Sequence, residues 1–192
     1  PVRSEQISIA QPWKTGQTAC YDSIGNVITC TGTGQDGEIQ AGVAWPTPRF
    51  TDNGDGTIAD NLTGLMWTKD ANLIASRDPG FDTDGTSGDG SVTWQHALDY
   101  VANLNAEAYL GHTDWRLPNR KEFYSRTDFS QYSPALPPSH PYLNVQLDGY
   151  WSSTTISGHT NQAWLVPMWG GNIYNDTKFR YYYVWPVRDG TL

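Results

Sequence analysis

No stretch of this 192-residue chain approaches the run of about eighteen apolar residues that a membrane-crossing helix requires, and no secretory leader is visible. Because a leader can be cleaved off, its absence does not argue for the cytoplasm. Cysteine is scarce, with only Cys20 and Cys30 present. The sequence has no His-Glu-x-x-His pair, no Gly-x-Ser-x-Gly elbow and no phosphate-binding glycine loop. The four histidines, His96, His112, His140 and His159, show no metal-ligand spacing. Zinc hydrolase, serine hydrolase and nucleotide-binding chemistries are therefore poor fits. Positive charge is also thin: 12 Lys and Arg stand against 20 Asp and Glu, a net charge of −8. The imbalance is local. Ten acidic residues lie between Asp36 and Asp89 against Arg49, Lys69 and Arg77 alone, while charge is balanced from Tyr132 onward. An acidic half repels phosphate backbones and the other half offers no basic stripe, so neither nucleic acid nor direct membrane insertion is expected.

Aromatic residues are plentiful. Ten fall between Tyr150 and Trp185, interleaved with Asn, Gly, Ser and Thr, and only Asp176, Lys178 and Arg180 carry charge there. Rigid rings set among short adaptable polar residues suit recognition, since Tyr and Trp give contact area at low entropic cost. Any one ring could equally fill a β-rich core; as a group they are too interrupted by Asn and Gly for core alone. With 38% apolar residues, the chain is globular and long enough to bury about 70% of its unfolded surface as one domain with an N-terminal appendage.

That appendage is residues 1–43. Within it, Ile24-Gly25-Asn26 reads as a turn between short strands carrying Tyr21 and Val27-Ile28. A hairpin there brings Cys20 and Cys30 together as a disulfide, worth about 2–3 kcal/mol for so short a loop. The alternatives are two free thiols or half a metal site, and no second Cys pair or His cluster completes a zinc tetrahedron. A disulfide implies an oxidising compartment: periplasm, cell surface or secreted.

Residues 44–192 form the domain proper. Thr51 to Ile58 carries a strand-turn-strand signal, and Asp60 to Trp67 turns into an apolar run. Val92 to Asn105 has helical spacing, with Trp94, Ala97, Leu98, Val101 and Leu104 on one face and Ser91 or Thr93 available as cap. A second short helix follows Pro118, where Asn119 and Glu122 have capping-box spacing. Tyr132 to Tyr142 is too rich in proline for regular structure. Two helices and short, loop-rich antiparallel strands predict an α+β fold. Trp67, Trp115 and Trp151 read as core, Asp114 and Arg116 as an ion pair fixing the loop between them, and Arg188 as a second partner for an acidic framework residue.

Six strings carry a more specific signal: Phe50-x-Asp-Asn-Gly-Asp-Gly-Thr57, Asp60-x-x-Thr63-Gly64-Leu65-Met66-Trp67, Thr93-Trp94-x-x-Ala97, Asp114-Trp115-Arg116-Leu117-Pro118-Asn119, Tyr150-Trp151-Ser152-Ser153-Thr154 and Trp185-Pro186-Val187-Arg188. In this order they resemble the bacterial family named after the C-terminal domain of the Legionella collagen-like protein. The segment with Cys20 and Cys30 looks like the region preceding that domain in many members. The resemblance implies a C-type lectin-like fold in which the terminal strands pair, with Pro46 and Pro186 tolerated at an edge. It also implies an adhesin or receptor role. Some members resemble the variable proteins of diversity-generating retroelements, whose C-terminal segment is mutated to vary ligand binding. The related formylglycine-generating enzymes need cysteines late in the fold, and none follows Cys30 here.

The expectation is a non-catalytic, extracytoplasmic domain that binds a surface glycan or a protein. The alternatives are a diversified variable protein and a structural envelope module without ligand. The expected contact residues are Asn161, Trp164, Trp169, Asn172, Tyr174, Asn175, Asp176, Lys178, Arg180, Tyr181 and Tyr183. Alternation along 180–184 sends Tyr181 and Tyr183 one way, and Tyr182 with Val184 toward the core. No cofactor is expected, although Asp82, Asp84 and Asp89 alternate with glycines in a way that could wrap calcium. The Glu-Pro-Asn and Gln-Pro-Asp triplets of calcium-dependent sugar lectins are missing.

Overall fold

The computed structural model describes residues 12–190. Two compact units meet between Trp45 and Pro46. Of the lead segment, residues 1–11 lie outside the described residues.

In the first unit, strands β1 (Cys20–Tyr21) and β2 (Val27–Ile28) pair antiparallel, with Cys20 opposite Ile28. Asp22 shapes the turn: its carboxylate accepts the backbone N–H groups of Ile24 and Asn26 and the Asn26 side-chain amide. The hairpin brings the sulfurs of Cys20 and Cys30 into a disulfide, with Cα atoms 5.2 Å apart. A one-turn helix, α1 (Asp36–Ile39), follows, and Gly37 backs onto the Ala19 carbonyl at a distance that leaves no room for a side chain.

The second unit is α+β. Strands β3 (Phe50–Asp52), β4 (Thr57–Asp60) and β5 (Leu65–Thr68) form an antiparallel meander, and β9 (Val187–Asp189) joins β5 as the other edge. The closing strand therefore pairs with β5, not with the segment around Pro46, which overturns the expected pairing of terminal strands. The turn in Asp52-Asn53-Gly54-Asp55-Gly56 is held by its own carboxylates, Asp52 accepting from Gly54 N and Asp55 from Thr57 N. Between β5 and the second sheet lie α2 (Leu73–Ser76), α3 (Trp94–Ala106), a short 3-10 turn (Tyr109–Gly111) and α4 (Arg120–Ser125). The second sheet is β6 (Gly149–Ile156), β7 (His159–Pro167) and β8 (Tyr174–Thr177), with β8 at its edge. No helix among the described residues is long and apolar enough to cross a membrane.

Four helices replace the two expected. Neither α1 nor α2 exceeds one turn, and a single turn is too short to leave a 3.6-residue period in the sequence. The two expected helices occur, and α3 buries Ala97, Tyr100, Val101 and Leu104. Asn119 and Glu122 form the full capping box of α4. Thr93 does stand at the N-cap of α3 but makes no capping bond. Its N–H and hydroxyl both donate to Asp84, which ties the loop to the start of the helix.

Two cores result. One packs α3 against β6 and β7 around Trp115 and Trp151. The other surrounds Trp67, Phe123, Tyr150 and Trp185 beneath the four-stranded sheet. Beside the second core, Arg49 and Asp60 form a buried ion pair at 2.7 Å, and Arg49 also donates to the Ser125 carbonyl. Framework pairing differs from the sequence reading at Asp114. This residue pairs with Arg188 at 2.7 Å, whereas Arg116 bridges Glu122 and Asp189. In an extended stretch, Asp114 and Arg116 lie on one side of Trp115, each aimed at a different neighbour.

These two ionic sites differ in burial, which sets their energetic weight. Asp60→Asn, which strips the carboxylate from the sealed pair, is expected to lower unfolding free energy by about 3–5 kcal/mol. Asp114→Asn, at a half-exposed carboxylate, is expected to cost less than about 1 kcal/mol. Urea unfolding of both variants, followed by tryptophan fluorescence, checks the order; equal costs would refute it.

Candidate functional site

The edge strand β8 and the loop leading to it create a concave site. Cross-strand neighbours share a face of a sheet, so the pairs Leu165 with Tyr174 and Ala163 with Asp176 place Tyr174 and Asp176 on the side of the α3 core. The chain then turns and returns through Tyr182, bridged to Val92. Between them opens a groove of about 430 Å3 lined by Asp148, Leu165, Pro167, Trp169, Tyr174, Asn175, Asp176 and Tyr182.

Each wall has a local cause. Trp169 is fixed by its backbone, its N–H donating to the Leu147 carbonyl and its carbonyl accepting from Ser133. Its ring lies 6.1 Å from that of Tyr174 and 6.0 Å from that of Tyr132, which extends the aromatic surface outward. Tyr182 stands edge-on to Trp151 at 5.0 Å and donates its hydroxyl to Asp176 at 2.9 Å. The other Asp176 oxygen accepts the Thr177 N–H, and Asp148 accepts the N–H of Gly149. Burial, the Asp176 hydrogen bond and the nearby Asp148 charge push the Tyr182 phenol up to about 12, so it stays a donor throughout the physiological range. Burial also raises the Tyr183 phenol, with Asp89, Asp148 and Asp82 adding to the effect.

The expected contact residues divide. Trp169, Tyr174 and Asp176 converge on the groove, which Asn175 borders from its place opposite Trp164. Asn172 is exposed in the loop between β7 and β8, Asn161 is exposed on β7, and Arg180 is exposed close enough to act on Tyr182. Trp164 points to the opposite face of the sheet, beneath the Arg120 guanidinium at 4.5 Å. Lys178 is held inside the framework, 3.8 Å over the Trp94 ring and bonded to Thr155. Tyr181 is exposed, its ring against Gly85. Tyr183 turns inward against Tyr150, because the segment threads between the two cores and both of its faces are covered. Tyr182 packs with Val184 as parity predicts, yet it also lines the groove.

Sequence reasoning missed Asp148, Tyr132 and the groove face of Tyr182. The only local signal was Asp148 standing immediately before the Gly149-Tyr150-Trp151 string. Gly149 matters directly: a Cβ there would lie 2.7 Å from the Tyr182 ring and 2.8 Å from the Leu165 side chain.

The calcium reading of Asp82, Asp84 and Asp89 does not fit the geometry. Asp82 is buried and accepts the N–H groups of Gly88 and Gly90. Asp84 accepts from Thr93 and lies 3.0 Å from His96 Nδ1. Burial alone would raise the Asp84 carboxyl, but these hydrogen bonds outweigh it and hold it below its usual range. Asp89 accepts from Ser91. Asp82 and Asp89 brace the loop from within, Asp84 fastens it to the start of α3, and no cluster of three metal-ligating side chains occurs among the described residues.

A second groove, of about 530 Å3, runs beside α3 over Leu98, Val101, Trp115 and Leu117. Its polar groups are committed to one another: Arg116 to Glu122, and Asn105 to the backbone of Trp115. The β8 groove keeps an exposed carboxylate and exposed rings, so it is the stronger candidate site.

Gly149→Ala is expected to displace Tyr182 and to destabilise the domain by about 1–3 kcal/mol, the usual cost of overpacking. A denaturant midpoint at the parent value would show that the ring does not depend on this glycine.

No curated protein shows a significant match to the chain. The family profile described as the Lcl C-terminal domain matches residues 56–188, well over half of the sequence. The chain belongs to the Lcl C-terminal domain family.

Proposed function

We propose that this domain is a non-catalytic, extracytoplasmic binding module of C-type lectin-like architecture, adhesin- or receptor-like, that takes its ligand in the β8 groove. The observation that carries the reading is the set of part-exposed rings, Tyr132, Trp169 and Tyr174, beside the carboxylates Asp148 and Asp176. Exposed aromatics around a concavity are where binding energy concentrates, and short polar groups between them set orientation. Chemistry is disfavoured because both cysteines are joined in a disulfide and two of the four histidines are engaged in the framework. His96 lies against Asp84 and His112 against Trp115. The disulfide also supports an oxidising compartment. The ligand is a surface glycan or a protein.

The test is binding of the domain to a glycan array and to a panel of bacterial surface proteins, beside the double variant Trp169→Ala, Tyr174→Ala. Loss of two ring contacts is expected to weaken the principal interaction by at least about tenfold, with far-ultraviolet dichroism unchanged. Full binding by the folded variant would place the site on another face. Silence on both panels would favour a structural module.

A further inference from the structure

We infer that the ligand taken in the β8 groove presents an ammonium group, bound between aromatic faces and carboxylates. The inference rests on the groove being the binding site and adds the chemical class of what enters it.

The lining has one-sided chemistry. Three of its residues, Trp169, Tyr174 and Tyr182, offer aromatic rings, and two, Asp148 and Asp176, offer carboxylates; none is Lys or Arg. Ring faces carry partial negative charge and attract cations, most strongly where water is displaced. Hydrogen-bond donors, by contrast, are few. The Tyr182 hydroxyl is already given to Asp176, and Asn175, opposite Trp164 across the strands, carries its amide on the other face of the sheet. An anionic ligand would meet repulsion from Asp148 and Asp176. A neutral sugar would find rings to stack on but little to donate to its oxygens. A positive group satisfies both features at once, the rings by cation–π attraction and the carboxylates by charge. Asp148 is exposed at the rim, with one carboxylate oxygen bonded to Gly149.

The remaining charges around the groove point the same way. Asp82 and Asp89 add to the negative field at Tyr183, next to the groove. The nearby cation is Arg180, which is exposed and acts on Tyr182 weakly against the two aspartates. Lys178 is occupied by Trp94 and Thr155. This chain also binds cations to rings within its own framework, as Lys178 lies over Trp94 and Arg126 between Trp67 and Trp185. An ammonium on a short aliphatic stem has two natural sources, the lysine side chain of a protein and a choline head group, and both share the chemistry that the groove recognises.

Titration calorimetry on the whole chain separates these cases. The probes are N-acetyl-lysine methylamide and its side-chain-acetylated form, choline and its neutral carbon isostere dimethylbutanol, and maltotriose. Binding of either charged probe is expected, about tenfold or more tighter than its neutral isostere and weakening as salt is added. Stronger binding of the lysine probe identifies a protein source, and stronger binding of choline a choline-bearing surface. Asp148→Asn, at an exposed position, and Asp148→Asn with Asp176→Asn should each weaken the charged probe, the pair by about tenfold. Failure of both charged probes to bind would overturn the ammonium inference, as would binding of maltotriose or a neutral isostere equal to theirs. If such neutral binding is still lost in Trp169→Ala, the groove remains the site and only the ligand class is wrong. Binding of any probe that is indifferent to Trp169→Ala overturns the site itself.

Discussion

A single guanidinium holds the frame of the second unit together. Arg126, at the C-terminal end of α4, is fully buried, with its central carbon 3.7 Å from the ring centres of both Trp67 and Trp185. Phe123 stands 4.2 Å away and Tyr142 5.7 Å. None of its nitrogens makes a hydrogen bond of good geometry. Burial pulls its pKa down to about 10, countered by Tyr142, Tyr150 and Asp60, so the group remains charged at neutral pH. Burying a charge costs several kcal/mol, whereas desolvated cation–π contacts return about 2 kcal/mol each. The balance is favourable only with all the rings in place. They come from β5, α4, the proline-rich segment and the residues just before β9, so the arginine is satisfied only when these four distant parts of the chain have assembled.

Trp185 links that frame to the candidate site. Its indole donates to the Thr68 carbonyl, which fixes the start of the closing strand. The residues just before it are then held on both sides, Tyr183 by the backbone of Gly149 and Trp151, and Tyr182 by Val92. Tyr182 reaches the groove in a defined orientation because its neighbours have no freedom to move. Trp169 and Tyr174, by comparison, are partly exposed and sit on an edge strand and its loop. The rings of the groove and the rings of the frame thus have similar chemistry but differ in burial, Trp185 being sealed and Tyr174 45% exposed.

That division explains what could be read from the sequence. Features with short-range causes were legible: the 3.6-residue period of α3, the Asn119 and Glu122 capping box, the Asp52 to Gly56 turn and the cysteine hairpin all depend on neighbours within a few residues. The burial of Trp67, Trp115 and Trp151 followed from their apolar settings. Partners far along the chain were not legible. Asp114 and Arg188 are 74 residues apart, and nothing near Asp114 favours Arg188 over Arg116. Lys178 had the composition of a binding residue but found Trp94, and Tyr183 found Tyr150. Asp148 and Tyr132 enter the site only because the Pro-rich segment and the start of β6 fold beside β8. Arg126 carried no local sign of its role, since a charged residue at a helix end ordinarily faces water.

The central claim is that a rigid aromatic frame around Arg126 carries a separate ligand groove at the β8 edge. The most direct test is a nitrogen-15 NMR titration of the domain with its ligand, following the tryptophan indole N–H signals residue by residue. The account predicts that the Trp169 signal shifts progressively while those of Trp67 and Trp185 stay fixed. Shifts at Trp67 or Trp185 with an unmoved Trp169 would contradict it, placing the ligand in the frame and leaving the edge groove empty.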